Sequence, residues 1–261
     1  MATASTRSIE LAADIHLSVA EVGEGKPAVL LHGGGGPTTV AMIADHLAER
    51  FHTLTPVHPG WDGTERPRRV TRIADYAAIY LEWLKENGFA DVLVVGSSLG
   101  GWIGAEMALH DDARRITRLI LLDAVGVDVP GEGITDFFAL DPSGVAEHAF
   151  HDSERFFVDP TTLSPEQLSV QEANMATMRA VAGDPYMHDP ELLDRLGEVS
   201  VPTLAIWGES DQIVTPDYGR AYAAAFSNGR FELVRDAGHL PQIEQPATTF
   251  ALIDAFAASE R

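Results

Sequence analysis

Cysteine is absent from the chain, and lysine occurs only at Lys26 and Lys85. Without thiols the protein can form no disulfide, no cysteine-ligated zinc site and no cysteine nucleophile. The 18 basic residues are outnumbered by 39 acidic ones, which gives a formal net charge of −21. A surface of that sign repels phosphate backbones and anionic lipids, so we expect neither nucleic-acid nor membrane binding.

Long apolar runs are also missing. No stretch of about 18 consecutive apolar residues occurs, so the sequence predicts no membrane-spanning helix. The first residues contain no apolar segment of the signal-peptide type, and we therefore expect a cytoplasmic protein. A length of 261 residues suits one large α/β domain or two small ones.

Short apolar runs alternate with helical patterns along most of the chain. Strands are predicted near residues 9–11, 15–19, 28–31, 51–57, 91–95, 116–123, 202–207 and 230–234. Helices are predicted at residues 38–50, 72–87, 99–110, 216–226 and 246–259. The alternation indicates an α/β fold with a mostly parallel central sheet flanked by helices, and the fully apolar strands fit a sheet covered on both faces.

Residues 127–198 differ from the rest, because no strand pattern is clear there and helices are predicted at 164–183 and 189–199. Ser164 followed three residues later by Gln167 is typical of a capping box at the start of a helix. We interpret this insert as a helical lid between strands 6 and 7. Residues 1–126 and 199–261 would then form the core of the domain.

The stretch from Gly96 to Gly100, GSSLG, separates an apolar strand from an apolar helix. It could be a turn without chemistry, a dinucleotide-binding loop or a turn that presents a nucleophile. A dinucleotide loop is disfavoured, because Ser98 stands where the middle glycine of that motif is needed. Glycines two residues before and two residues after Ser98 suit the strained turn of a nucleophile elbow.

A serine hydroxyl is a weak nucleophile at neutral pH, so an elbow requires a base, an acid and oxyanion donors elsewhere in the chain. His239 follows the last predicted strand, and Asp211 follows the strand before it. The glycine run after an early strand can supply backbone N–H groups from Gly34 or Gly35, beside that of Leu99. Ligands of parallel sheets bind at the carboxyl ends of strands, where all of these positions are expected.

Four segments together resemble the α/β-hydrolase-fold serine hydrolases over nearly the whole chain. They are HGGGGP (32–37), GSSLGG (96–101), GESD (208–211) and AGHLPQIEQP (237–246). The resemblance implies acyl transfer by a triad in which Ser98 attacks, His239 is the base and Asp211 orients the imidazole. It implies neither a metal nor an organic cofactor.

Several residues near these segments have two interpretations. Asp123 also ends a strand, and could serve as the triad acid in a variant arrangement or play a structural role. His32 could hold the oxyanion loop or touch substrate. Trp102, just after the elbow, could pack in the core or line the pocket. Glu244 is expected at the start of the last helix, where a carboxylate suits the helix dipole.

The insert is rich in aromatic residues and methionine. Seven of these residues are predicted either to pack the lid onto the core or to line an apolar pocket above Ser98. They are Phe137, Phe138, Phe150, Phe156, Phe157, Met175 and Met178, of which Phe137, Phe138 and Met175 are the pocket candidates. We therefore expect a small-molecule substrate that is largely apolar. Oligomeric state is not readable from the sequence, and either a monomer or a homodimer is expected.

The triad constrains the chemistry more than the substrate. A carboxylesterase for small apolar esters is the first choice. The glycine run and the helical lid also resemble the meta-cleavage C–C bond hydrolases, and enol-lactonase or thioesterase activity is a further alternative. A small-molecule receptor, or cofactor-free oxygen chemistry, is possible on the same fold. Haloalkane dehalogenases and epoxide hydrolases are disfavoured, since they require an aspartate at position 98.

Overall fold

The computed structural model of the protein describes residues 5–259. Its strands are β1 Ser5–Ala12, β2 Ile15–Val22, β3 Lys26–Leu31, β4 Phe51–Pro56, β5 Val92–Ser97, β6 Ile116–Leu122, β7 Gly126–Val127, β8 His188–Asp189, β9 Thr203–Gly208 and β10 Gly229–Val234. Its α-helices are α1 Ala41–Leu47, α2 Ile73–Glu86, α3 Leu99–Leu109, α4 Pro142–Ala149, α5 Ser153–Phe156, α6 Pro165–Ala182, α7 Leu192–Arg195, α8 Pro216–Ala225, α9 Pro241–Glu244 and α10 Pro246–Ala258.

The main sheet has the strand order β1-β2-β4-β3-β5-β6-β9-β10. The first two pairings are antiparallel and all the others are parallel, which confirms the predicted mostly parallel sheet. Leu31 is in register with Gly96, and Leu122 with Ser97. The carboxyl ends of β3, β5 and β6 therefore lie side by side at one edge.

Alternate residues of the central strands enter two apolar layers. Val29 and Leu31 of β3 pack on the side covered by α2, α3 and α8, whereas Ala28 and Leu30 pack on the side covered by α1 and α10. Because helices cover both faces, an apolar residue is required at every position of such a strand. This explains why the strand sequences show no polar alternation.

The insert lies between β6 and β9, which are neighbours in the main sheet. The short parallel pair β7–β8 joins its beginning to its end. Ser164 and Gln167 form the predicted capping box at the start of α6. That the segment acts as a lid, with limits at 127 and 198, stays a prediction.

Some predicted helices are shorter than expected. The chain opens the 38–50 region with a 3-10 turn at Pro37–Thr39 before α1, and the 189–199 region divides into α7 and a 3-10 turn at Leu196–Glu198. The helices α4, α5 and α9 were not predicted, because helices of one or two turns show too little periodicity. No helix within residues 5–259 combines the length and apolarity needed to cross a bilayer.

Candidate active site

Ser98 lies at the tip of a tight turn between β5 and α3, with φ 52° and ψ −115°. Such a conformation is strained for any residue with a side chain and is typical of functional turns. A Cβ on Gly96 would lie 2.2 Å from the carbonyl oxygen of Gly100, and a Cβ on Gly100 would lie 2.0 Å from that of Leu31. Both glycines are therefore required by the turn, which presents the half-buried Ser98 at the carboxyl edge of the sheet.

Hydrogen bonds connect Ser98 through His239 to Asp211. His239 Nε2 lies 2.9 Å from Ser98 Oγ, and its Nδ1 lies 2.8 Å from Asp211 Oδ2. The other oxygen of Asp211 accepts the backbone N–H groups of Ile213 at 2.8 Å and Val214 at 3.2 Å. Because the carboxylate only accepts, Nδ1 of His239 carries the hydrogen and Nε2 is free to take a proton from the serine.

The glycine run lies against Ser98, since a Cβ on Gly33 would be 3.3 Å from the Cβ of Ser98. Within residues 5–259, the backbone N–H groups of Gly34, Gly35 and Leu99 have no hydrogen-bond acceptor. Leu99 is the first residue of α3, where backbone donors lack an intrahelical partner. All three predicted oxyanion donors are thus unpaired, which an oxyanion hole would require.

Thr39 and Gln242 hold the glycine run in place. The Thr39 hydroxyl accepts the N–H of Gly33 at 3.0 Å and donates to the Gly36 carbonyl at 2.8 Å. The side-chain amide of buried Gln242 donates to the Thr39 carbonyl at 2.9 Å and to the hydroxyl of Ser97 at 3.3 Å. The histidine segment, the elbow and the oxyanion loop are therefore linked. Gln242 lies in the segment around His239, but no sequence pattern predicts this link.

His32 is fully buried and stacks on His58 with ring centroids 3.6 Å apart. Its Nδ1 donates to the Gly33 carbonyl at 2.7 Å, and its Nε2 accepts the N–H of His58 at 3.0 Å. Burial lowers the pKa of His32 to about 4 and that of His58 well below its usual range. Trp61 donates to the Gly34 carbonyl at 3.0 Å. The two neutral imidazoles and the indole of Trp61 therefore support the glycine run at residues 33–36, the predicted oxyanion loop. Both ring nitrogens of His32 are used in these hydrogen bonds, so neither is left for a substrate.

Asp123, the alternative acid, is fully buried at the end of β6. Its Oδ1 accepts the N–H of Gly208 at 2.8 Å. One of its oxygens, one oxygen of Asp211 and a ring nitrogen of His239 all lie within 4.8 Å of one another. Between the two acids, the structure places Asp211 in hydrogen-bond contact with the histidine, whereas Asp123 lies close to both without such a bond to His239.

A short piece of the insert, residues 148–152, contacts both loops that carry the histidine and the acid. We call it the strap. His239 donates its backbone N–H to the Ala149 carbonyl at 2.7 Å, and Gln212 donates to the His148 carbonyl at 3.0 Å. The strap therefore fixes the backbone at His239 and at the residue after Asp211.

Glu244 completes the contact between the strap and the histidine loop. It ends α9 and lies outside α10, so its expected place at the start of the last helix was wrong. Its carboxylate accepts the backbone N–H groups of Gly238 at 2.6 Å, Asp152 at 3.1 Å and His151 at 3.2 Å. The side chain thus joins the residue before His239 to the strap.

The aromatic residues named for the pocket lie mainly in packed positions. Trp102 is 4% exposed, donates to Glu106 at 3.4 Å and packs its ring so closely on Gly126 that a Cβ there would lie 2.3 Å from it. Phe137 and Phe138 are half-buried with their ring centroids 4.7 Å apart. Contact between these rings and a substrate stays a prediction.

The two methionines of α6 face different ways. Met175 is 37% exposed, whereas Met178 is 4% exposed and reaches the oxyanion loop. A Cβ on Gly34 would lie 2.5 Å from the Met178 sulfur. Of the two methionines, Met178 is thus the one adjacent to the predicted oxyanion donors. The helical spacing of three residues between the two methionines gave no indication of which one faces inward.

Comparisons with known proteins agree on one family. The profile of the "Alpha/beta hydrolase family" matches residues 28–252. The 2-hydroxy-6-oxononadienedioate/2-hydroxy-6-oxononatrienedioate hydrolase 2 of Pseudomonas putida is 26% identical, over 88% of this chain and 87% of the relative.

Two solved structures show the same fold. The 2-hydroxy-6-oxo-6-phenylhexa-2,4-dienoate hydrolase of Rhodococcus sp. strain RHA1 superposes with a TM-score of 0.76 at 19% identity, covering 99% of this chain and all of that one. An esterase from Exiguobacterium antarcticum superposes with a TM-score of 0.76 at 20% identity, covering 94% of this chain and 96% of that one.

Proposed function

This chain belongs to the alpha/beta hydrolase family, and we propose that it cleaves a small, largely apolar carboxylic ester through an acyl-enzyme. The observation that carries the proposal is the hydrogen-bonded series Ser98–His239–Asp211 beside unpaired backbone donors. An imidazole in that orientation can deprotonate the serine, and the donors can stabilise the oxygen that becomes negative.

The reaction proceeds in two halves. His239 Nε2 accepts the Ser98 proton as Oγ bonds to the ester carbonyl carbon, and the imidazolium then protonates the departing alkoxide. In the second half His239 takes a proton from water, whose oxygen attacks the acyl carbon, and the proton returns to Ser98 as the acid leaves. Asp211 accepts the Nδ1–H throughout and stabilises the imidazolium.

The backbone donors complete the site. The oxyanion receives N–H groups from Leu99 and from Gly34, which is half-buried and adjacent to the glycine that contacts Ser98; Gly35 is exposed and is the alternative donor. The apolar side chain of Met178 against Gly34 supports an apolar acyl group rather than a charged one.

Hydrolysis of p-nitrophenyl esters from acetate to decanoate tests the proposal. We expect turnover to be greatest for short acyl chains and Ser98→Ala to lower kcat/KM by about 10⁴-fold or more. Ser169→Ala is the matched control, because Ser169 is an exposed residue of α6 outside the site, and it should leave kcat/KM unchanged. Folded protein that turns over no ester, or Ser98→Ala protein as active as the parent, contradicts the proposal.

Hydrolysis of a C–C bond in a vinylogous diketone is the second candidate. It is favoured by the names of several relatives, including the hydrolases of Pseudomonas putida and Rhodococcus described above. The same protein preparation should be mixed with a 2-hydroxy-6-oxo-dienoate while the loss of its visible absorbance is followed. A kcat/KM higher than for any ester, again abolished in Ser98→Ala, would replace the ester proposal. Tight binding of small molecules without turnover of either class would favour a receptor.

A further inference from the structure

The carboxyl group of Asp123 has no role in the proposed reaction, and one of its oxygens is unsatisfied. The residue is fully buried, with the positive φ of 44° that few residues adopt. Oδ1 accepts from the Gly208 backbone, but no N–H or O–H donor in residues 5–259 faces the buried Oδ2. A carboxyl oxygen of Asp211 lies within 4.8 Å of a carboxyl oxygen of Asp123. Buried oxygens are rarely left without a donor, so the arrangement needs an explanation.

Two buried carboxyl groups in contact do not both ionise, because like charges in a medium of low polarity repel strongly. Asp211 accepts three N–H groups, from Ile213, Val214 and the ring of His239, and is therefore the group held as a carboxylate. Asp123 accepts only one. A proton on the free oxygen of Asp123 would satisfy that oxygen and remove the repulsion at the same time.

The electrostatic surroundings agree with this placement of the proton. Burial, first, and then the charge of Asp211 raise the pKa of Asp123 well above its usual range, and Glu244 acts in the same direction more weakly. The titratable groups that face Asp123 are thus Asp211 and Glu244, with His239 within 4.8 Å. Two of the three are acids, and the imidazole is already paired with Asp211.

We propose that Asp123 is a positioning residue, a neutral carboxylic acid whose O–H donates a hydrogen bond to the Asp211 carboxylate. The two acids share one proton and one negative charge. The bond restrains the Asp211 carboxylate, so that the histidine meets a single fixed anion. This inference rests on the proposed role of Asp211, and it adds a fourth residue to the series Ser98–His239–Asp211.

Infrared spectroscopy detects the proton directly. The C=O stretch of a protonated carboxylic acid absorbs above the amide and carboxylate bands and moves down in D₂O. We expect the difference spectrum of the parent minus Asp123→Asn at neutral pH to contain such a band. The parent minus Asp45→Asn should contain none, because Asp45 is an exposed acid on α1. Absence of the band from the first spectrum overturns the proposal.

A second measurement uses the parent protein and so does not depend on whether Asp123→Asn folds. Glu106 is the other buried acid whose pKa is raised, mainly by burial. Labelling aspartate alone with ¹³C shifts an Asp123 band of the parent protein and leaves a Glu106 band in place. An acid band in the parent that does not respond to the aspartate label counts against the proposal.

Enzyme kinetics distinguish two roles for Asp123: orienting the Asp211 carboxylate and merely filling space. Asp123→Ala removes the proposed donor to Asp211 and the acceptor of the Gly208 N–H, so kcat should fall about tenfold or more. Asp123→Asn keeps the shape, can donate to Asp211 and tolerates a positive φ, so it should restore kcat to within about threefold of the parent. If Asp123 were ionised, Asn would remove a charge beside His239. The variant would then lose as much activity as Ala, and the acidic limb of its pH–rate profile would move to lower pH.

Failure of the ester chemistry can be told apart from failure of this inference. The infrared spectra of the parent need no turnover, so the acid band is observed independently of ester hydrolysis. An aspartate acid band in protein that hydrolyses no ester leaves the shared proton standing and overturns only the proposed substrate. Ester hydrolysis without the band leaves the triad standing and overturns the role of Asp123.

Discussion

Glu244 offers a direct test of whether the insert stabilises the catalytic loops. The half-buried carboxylate accepts three backbone N–H groups, one from Gly238 in the histidine loop and two from the strap. Replacing Glu244 with Ala removes all three bonds. His151 and Asp152 are exposed, so their N–H groups can turn to water, whereas Gly238 is buried beside His239.

The expected loss of stability follows from these environments. A hydrogen bond to a charged group contributes about 1.5–3 kcal/mol, and the lower end suits a half-buried carboxylate such as Glu244. Adding about 0.5 kcal/mol for each of the two exposed bonds gives a loss of about 2.5 kcal/mol for Glu244→Ala. Glu244→Gln keeps one acceptor oxygen, which can still serve Gly238, and should lose about 1 kcal/mol. For a chain of this size the Ala variant should melt roughly 5 °C or more below the parent.

Thermal and urea unfolding, with kcat on the best ester, give the measurement. We expect kcat to fall in the order parent, Gln, Ala, because the loop that carries His239 loses its tether, while KM changes little. Glu172→Ala is the control, since Glu172 is an exposed acid of α6 with no hydrogen bond or ion pair to any of residues 5–259. If Glu244→Ala were as stable and as active as Glu172→Ala, the reasoning that the strap supports the site would be refuted.

Three further results are expected. Trp61→Phe removes the hydrogen bond to Gly34 and leaves a space beside the fully buried ring, so it should lower kcat about tenfold and also lower the unfolding midpoint; equal kcat would show that the loop needs no such support. Gly126→Ala places a Cβ 2.3 Å from the Trp102 ring at a φ of 121°, so unfolding in urea should occur at a lower concentration, and an unchanged midpoint contradicts the packing. The pKa of Asp123 is higher in the folded than in the unfolded protein, so a proton on Asp123 stabilises the folded state. This stabilisation is complete below the unfolded pKa of about 3.9 and is lost as pH rises toward the folded pKa. The unfolding free energy of the parent should therefore fall, relative to Asp123→Asn, by up to about 1.4 kcal/mol per pH unit above pH ~4; parallel curves count against a protonated Asp123.

Much of the fold could be predicted from local patterns. The strands around Val94 and Leu119 are apolar throughout, which indicates a sheet with two covered faces, and that is what the structure contains. The helix that begins after Ser164 has the predicted cap, because a capping box depends on residues three apart. The one-turn helix α9 was missed, since so short a segment has almost no period to detect.

The candidate site also contains residues that local sequence identifies and residues that it does not. Ser98, Asp211 and His239 could be named because each belongs to a short segment at the end of a strand, and the structure joins them by hydrogen bonds. The contact between Asp123 and Asp211 joins residues 88 positions apart, and nothing in either segment indicates it. Met178 rather than Met175 faces the oxyanion loop, a choice that depends on how α6 is rotated on the core.

The sequence by itself determined the local turns, the order of strands and helices and the identity of the candidate triad, because each depends on residues close together in the chain. Only the tertiary structure decided what supports that triad. The strap on His239, the Glu244 bridge and the carboxyl group of Asp123 come from loops after different strands. Their meeting depends on the non-sequential strand order, in which β6 and β9 become neighbours across the whole insert.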